Sequence, residues 1–176
     1  KVHIKVDTGM GRLGMICQSE DTINKSSKEI KEISSINHLE VEGIYTHFAS
    51  ADEIDKTSAI EQMERFNHLL NLLGKEATNI NSLLIHAANS AAVLDIPSSH
   101  FNMVRAGISK YGLWPSREIK QDRVSLKPAM SIISKIIQLK TVPANFKVSY
   151  GSTYTTDKET KIATIPIGYA DGYSRL

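Results

Sequence analysis

The chain has 176 residues, 41% of them hydrophobic and 23% charged, and a formal net charge of +2. That composition fits one globular domain or parts of two, while the scattered basic residues argue against a nucleic-acid surface and no apolar run approaches the roughly 18 residues of a membrane helix. The single cysteine, Cys17, excludes an internal disulfide; it reads as a small buried hydrophobe in a reducing compartment.

Val2–Val6 alternates as a strand, with Val2, Ile4 and Val6 on one face and His3, Lys5 and Asp7 on the other. A helix is predicted over Thr22–Ser34, with Ile23, Ile30 and Ile33 as its apolar stripe. A second strand follows at Val41–Phe48. Ser58–Leu73 has Ile60, Met63, Phe66, Leu69, Leu70 and Leu73 at helical spacing, and Gly74 marks the helix end. A third strand is predicted at Leu83–Ala87, a short helix at Ser90–Leu94 and a fourth, short strand at Asn102–Arg105. Alternation of this kind implies parallel strands joined by crossovers. A polar inner face on the first strand favours a barrel with a polar mouth over an open sheet buried on both sides. Four strands make about half of such a barrel. From Lys127 onward, Ala129–Thr141 and Lys161–Ile167 are rich in Ile, Val and Thr and punctuated by Pro143, Gly151 and Gly168, as in the start of an all-β domain. The expected organisation is α/β: the second half of a (β/α)8 barrel over residues 1–126, then a partial β domain over 127–176. No signal peptide is visible, and both ends read as cut from a longer protein.

Four segments end strands in polar or glycine-rich sequence, where barrel enzymes place their sites. Glycines around Met10 permit a turn that aims Arg12 at the barrel mouth; the alternative is a loop with Arg12 in solvent. His47 is either a switchable or stacking ring or a histidine satisfied by a backbone carbonyl. Asn89 and Ser90 open a helix, and Gly107 allows close approach of its backbone, a pairing suited to a phosphate though common in ordinary turns. Tyr150, Tyr154 and Tyr169 lie near glycines in the β region, as site residues or as cross-strand packing. No set of residues reads as a metal site.

Together the stretches KVDTGMGRLGM, GIYTHFASADE, HAANSAAVL, FNMVRAGISKYGLWPS, LKPAMS, VSYGSTYT and TIPIGYADGYSRL, in this order, resemble alanine racemase. The resemblance implies interconversion of L- and D-alanine with pyridoxal 5'-phosphate, supplying D-alanine for peptidoglycan in the cytoplasm. It also implies a homodimer whose β domain completes the partner's active site. By that resemblance Tyr150 is one catalytic base, while the other, the aldimine lysine, has no counterpart in these residues, so the isolated segment is expected to be inactive. Arg105 faces the pyridine nitrogen; His47 lies against the cofactor ring and pairs with the tyrosine. Ser90, Gly107 and Ile108, with Asn89 beside them, hold the phosphate. Arg12 lies near the substrate carboxylate, Tyr169 lines the substrate entrance, and Lys5 matches a lysine that is carbamylated in many members. Ala106 departs from the family's frequent phenylalanine. A racemase of another amino acid such as serine, or a non-catalytic cofactor-binding barrel protein, are the alternatives; the β segment with Tyr150 and Tyr169 argues against the second.

Overall fold

A computed structural model describes residues 1–75 and 82–173, so the last three positions of the TIPIGYADGYSRL motif lie outside the described residues. The chain forms two compact units, Lys1–Ala129 and Met130–Leu176. In the first unit the order is β1 (Val2–Asp7), β2 (Met15–Ile16), α1 (Glu20–Ser34), β3 (Val41–Tyr45), α2 (Thr57–Lys75), β4 (Leu84–His86) and α3 (Ser90–Asp95). The strands pair in parallel in the order β2-β1-β3-β4. This is the repeating strand–helix grammar of a (β/α)8 barrel wall.

Strand alternation explains the two faces of this sheet. Ile4, Val6 and Ile44 are buried against Ile23 and Ile30 of α1 and Phe66, Leu69, Leu70 and Leu73 of α2. Phe66 meets Phe101 edge-on at 5.5 Å. On the other face, Lys5, Tyr45 and His86 lie in register across three strands. His3 stands opposite Gly43, where a Cβ would come within 2.5 Å of the Leu84 carbonyl oxygen and 2.6 Å of His3 Nδ1. Only a glycine leaves the His3 ring that space.

Ser19 caps α1 through a capping box with Thr22. The buried stripe of α2 runs through Ala59, Gln62, Met63, Phe66, Leu69, Leu70 and Leu73. Ile60, expected in that stripe, is exposed, and Gln62 takes a buried place instead. The helix continues through Gly74 to Lys75 rather than stopping before the glycine. Asn102–Arg105, expected as a strand, forms no ladder. There the Asn102 side chain accepts from the Ile85 N–H at 2.6 Å and donates to the Leu83 carbonyl at 2.8 Å. A side-chain amide thus occupies the edge of β4 that a fourth strand's backbone would pair with. Cys17 is fully buried, as expected.

The second unit holds β5 (Gln138–Val142), β6 (Lys147–Val148), β7 (Tyr154–Thr155) and β8 (Thr160–Thr164). Antiparallel pairing joins β5 to β8 and β6 to β7. Buried Thr156 ties it together, its hydroxyl accepting from the Phe146 N–H at 2.9 Å and donating to the Pro143 carbonyl at 2.7 Å.

Candidate active site

The site of the first unit grows out of the C-terminal ends of β1, β3 and β4. Beyond β1, the Asp7 carboxylate accepts three backbone N–H bonds, from Gly9 and Met10 at 2.9 Å and Gly11 at 3.1 Å. Burial alone would raise the Asp7 pKa; the three amides from Gly11, Gly9 and Met10 outweigh it and lower the value. The carboxylate therefore shapes the glycine turn that carries Arg12, whose side chain is exposed. Lys5 is half-buried, donates to the Val6 carbonyl at 2.7 Å and stands 5.8 Å from the centre of the Tyr45 ring.

Beyond β3 and β4 the chain encloses a cavity of about 280 Å3 lined by His47, Asp52, Asn89, Ser90, Ala91, Arg105, Gly107, Ile108 and Pro115. All six positions expected to bind a cofactor (His47, Asn89, Ser90, Arg105, Gly107 and Ile108) lie on its wall. Asn89 caps α3, its side chain accepting from the Ala92 N–H at 3.0 Å. The Ser90 hydroxyl oxygen accepts from the Gly107 N–H at 2.7 Å and the Ser109 N–H at 3.3 Å. Two backbone donors, one of them absent from the sequence reading, thus converge on one hydroxyl.

Arg105 is held from several sides. Its guanidinium donates to the Thr46 carbonyl at 2.8 Å and the Ala87 carbonyl at 3.2 Å, and meets His47 Nδ1 at 3.2 Å. It also contacts His86 Nδ1 and lies 5.1 Å from the centre of the Tyr45 ring. Because a guanidinium has only donors, His86 Nδ1 accepts, and its Nε2 carries the ring hydrogen toward His3 Nδ1 at 2.8 Å. His3 Nε2 then faces Glu42 at 3.8 Å. Tyr45 stacks on His86 with ring centres 4.7 Å apart.

The electrostatics follow from this crowding of cations. Burial, then the charge of Arg105, then His3 push the His86 pKa down to about 4. Burial, followed by Arg105, Arg12 and Lys5, lowers that of His47. Burial lowers that of Lys5 as well; Asp7 opposes it, and Arg105 and Arg12 add to it. His86 is therefore neutral near pH 7, and His47 is shifted toward its neutral form.

Tyr150 and Tyr169 belong to the second unit. Tyr150 is 82% exposed and sits in the connection between β6 and β7. The backbone is left-handed at Ser149, Gly151 and Ser152 around it. Tyr169, also exposed, opens a tight turn in which the Gly168 N–H donates to the Asp171 carboxylate at 2.9 Å. Sequence reasoning named neither Asp7, Gln62, Ser109 nor the His3–His86 pair as site residues. His3 on the polar face of β1 was the visible signal for that pair; its partner lies 83 positions away.

Residues 1–115 match the family model described as alanine racemase, N-terminal domain, and residues 129–176 the model for the C-terminal domain. The chain is 50% identical to an alanine racemase of Methanococcus maripaludis over 177 aligned positions, covering 100% of this chain and 45% of that protein. It is 48% identical to one of Desulfosudis oleivorans, covering 99% and 45%. Among solved structures, alanine racemase of Streptomyces coelicolor A3(2) superposes with a TM-score of 0.73 at 36% identity, covering 98% of this chain and 44% of that one. That of Clostridium difficile 630 gives 0.71 at 39% identity, covering 98% and 43%. The chain spans about 45% of the length of the curated relatives it matches, and the part it matches is barrel followed by the start of the C-terminal β domain.

Proposed function

We propose, on the ground that the chain belongs to the alanine racemase family, that the whole protein interconverts L- and D-alanine with pyridoxal 5'-phosphate. The observation that carries this reading is the meeting of His47, Asn89, Ser90, Arg105, Gly107 and Ile108 around one cavity. Its residues fit the cofactor. The Gly107 and Ser109 amides and the Ser90 hydroxyl are donors of the kind a phosphate monoester takes. A Cβ at Gly107 would stand 3.4 Å from Ser90 Oγ and occupy the space beside those donors. His47 supplies a ring and Arg105 its N–H groups on the same wall.

When bound, the cofactor withdraws electrons from the α-carbon of the amino acid and so acidifies its proton. Arg105 would offer an N–H to the cofactor's ring nitrogen without yielding its own proton. It thereby limits that withdrawal and favours prompt return of the proton over side reactions. Tyr150 takes and returns the proton on one face, while Tyr169 lines the entrance; both are supplied across a homodimer. Arg12 receives the substrate carboxylate. Lys5, with its pKa lowered, holds more of the neutral amine that reacts with CO2, and a carbamate there would steady Arg12. The D-alanine made serves peptidoglycan in the cytoplasm; no described helix is long and apolar enough to cross a membrane.

The test loads the whole protein with pyridoxal phosphate, supplies L-alanine and follows D-alanine with a D-amino-acid oxidase. Ser90→Ala, which removes one donor to the phosphate, is expected to weaken cofactor binding about tenfold. Absence of D-alanine from the loaded wild-type protein would refute the reading.

A further inference from the structure

Gln62 is an uncharged side chain only 1% exposed, and each end of its amide is used. Its oxygen accepts from the Ala49 N–H at 2.9 Å. Its nitrogen donates to the His47 carbonyl at 3.0 Å and to Thr8 Oγ1 at 3.3 Å. Thr8 Oγ1 in turn meets Thr46 Oγ1 at 2.7 Å, and Arg65, three residues after Gln62 on α2, donates to the Thr8 carbonyl at 2.9 Å. Gly9 passes so close that a Cβ there would lie 3.0 Å from Gln62 Cγ. One face of α2 thereby grips the segment after β1 and the segment after β3. The grip on the second holds His47 through the backbone on both sides of Phe48, which leaves the ring free to face Arg105.

We propose that Gln62 is a positioning residue of the site: it fixes the backbone of His47 and so sets the distance of the His47 ring from Arg105. The role needs an acceptor and a donor at one reach, which glutamine supplies and an apolar residue of equal volume does not. This rests on the racemase reading for its catalytic consequence but not for its geometry.

The experiment uses the whole protein with cofactor and compares wild type with Gln62→Met and Gln62→Glu. In Gln62→Met, kcat is expected to fall roughly tenfold to a hundredfold, the size of a misplacement near 1 Å, with KM for alanine nearly unchanged. The His47 ring, followed by NMR, is expected to titrate about one unit higher than in wild type, as for a retreat of about 1 Å from its 3.2 Å contact with Arg105 at an effective dielectric constant near 20. Gln62→Glu keeps the volume and the acceptor for Ala49. Protonated, it regains the donor as well, so its kcat relative to wild type should rise as pH falls; this variant carries the test if Gln62→Met does not fold. The proposal is overturned if the variants lose only thermal stability while kcat and the His47 titration match wild type. If wild type itself makes no D-alanine, the racemase reading fails, and the His47 titration still decides the positioning.

Discussion

Lowering the pH from 7 toward 4 should destabilise the protein through His86. Its pKa is about 4 in the folded chain, held down by burial, then by Arg105, then by His3, against about 6.5 in an unfolded one. With the folded value below the unfolded one, the unfolded chain takes up the proton first. Stability is therefore complete above about pH 6.5, falls through the interval between the two values, and levels off below about pH 4. Each pH unit inside the interval removes about 1.4 kcal/mol, or about 3 kcal/mol across it. That is a large part of the 5–15 kcal/mol typical of a folded domain. His47, lowered for the same leading reason, changes stability in the same direction. Urea unfolding of the whole protein at fixed concentration, at pH 7, 6 and 5, measures the slope. His86→Gln keeps a polar group but cannot titrate, so its slope should be shallower by about the 1.4 kcal/mol per unit owed to His86. Parallel slopes for wild type and His86→Gln, or a His86 ring that titrates near 6.5 by NMR, would refute the reasoning.

Gly43→Ala should cost about 1–3 kcal/mol or more in urea unfolding, because the new methyl meets the Leu84 carbonyl and the His3 ring well inside contact distance. The His3 and His86 NMR signals should shift together in that variant. In the whole protein, Tyr150→Phe should abolish α-hydrogen exchange with solvent on one face of alanine while leaving cofactor absorbance intact. Loss of that absorbance would make Tyr150 a structural residue.

Most of the first unit was legible because its signals are local. The period of two in Val2–Val6 and the helical spacing from Met63 to Leu73 each identify an element without reference to the rest of the chain. The cavity residues were legible through motif, not periodicity: Ser90 and Gly107 are unremarkable turn residues until the bond between them is seen. What escaped depends on long-range partners. Gln62 falls outside the apolar stripe expected to include Ile60, yet loops from two other strands claim its amide, and Ile60 is left in solvent. Asn102 reads as the start of a strand, but its own side chain takes the bonds a strand would have made. Gly43 attracts no notice until the ring that needs its missing Cβ is placed beside it.

The line from Arg105 through His86 to His3 has a sense as well as a shape. A chain of imidazoles in water can pass protons either way by swapping tautomers, but this one is terminated by a group that can never accept. Turning the tautomers over would present Arg105 with a second N–H where it needs a lone pair. The line is thus closed at the cavity end: the His86 Nδ1 lone pair is committed to the guanidinium, and no proton can pass from the imidazole to Arg105. The polar face of the sheet therefore meets the cavity through a contact that transmits an electric field but not a proton.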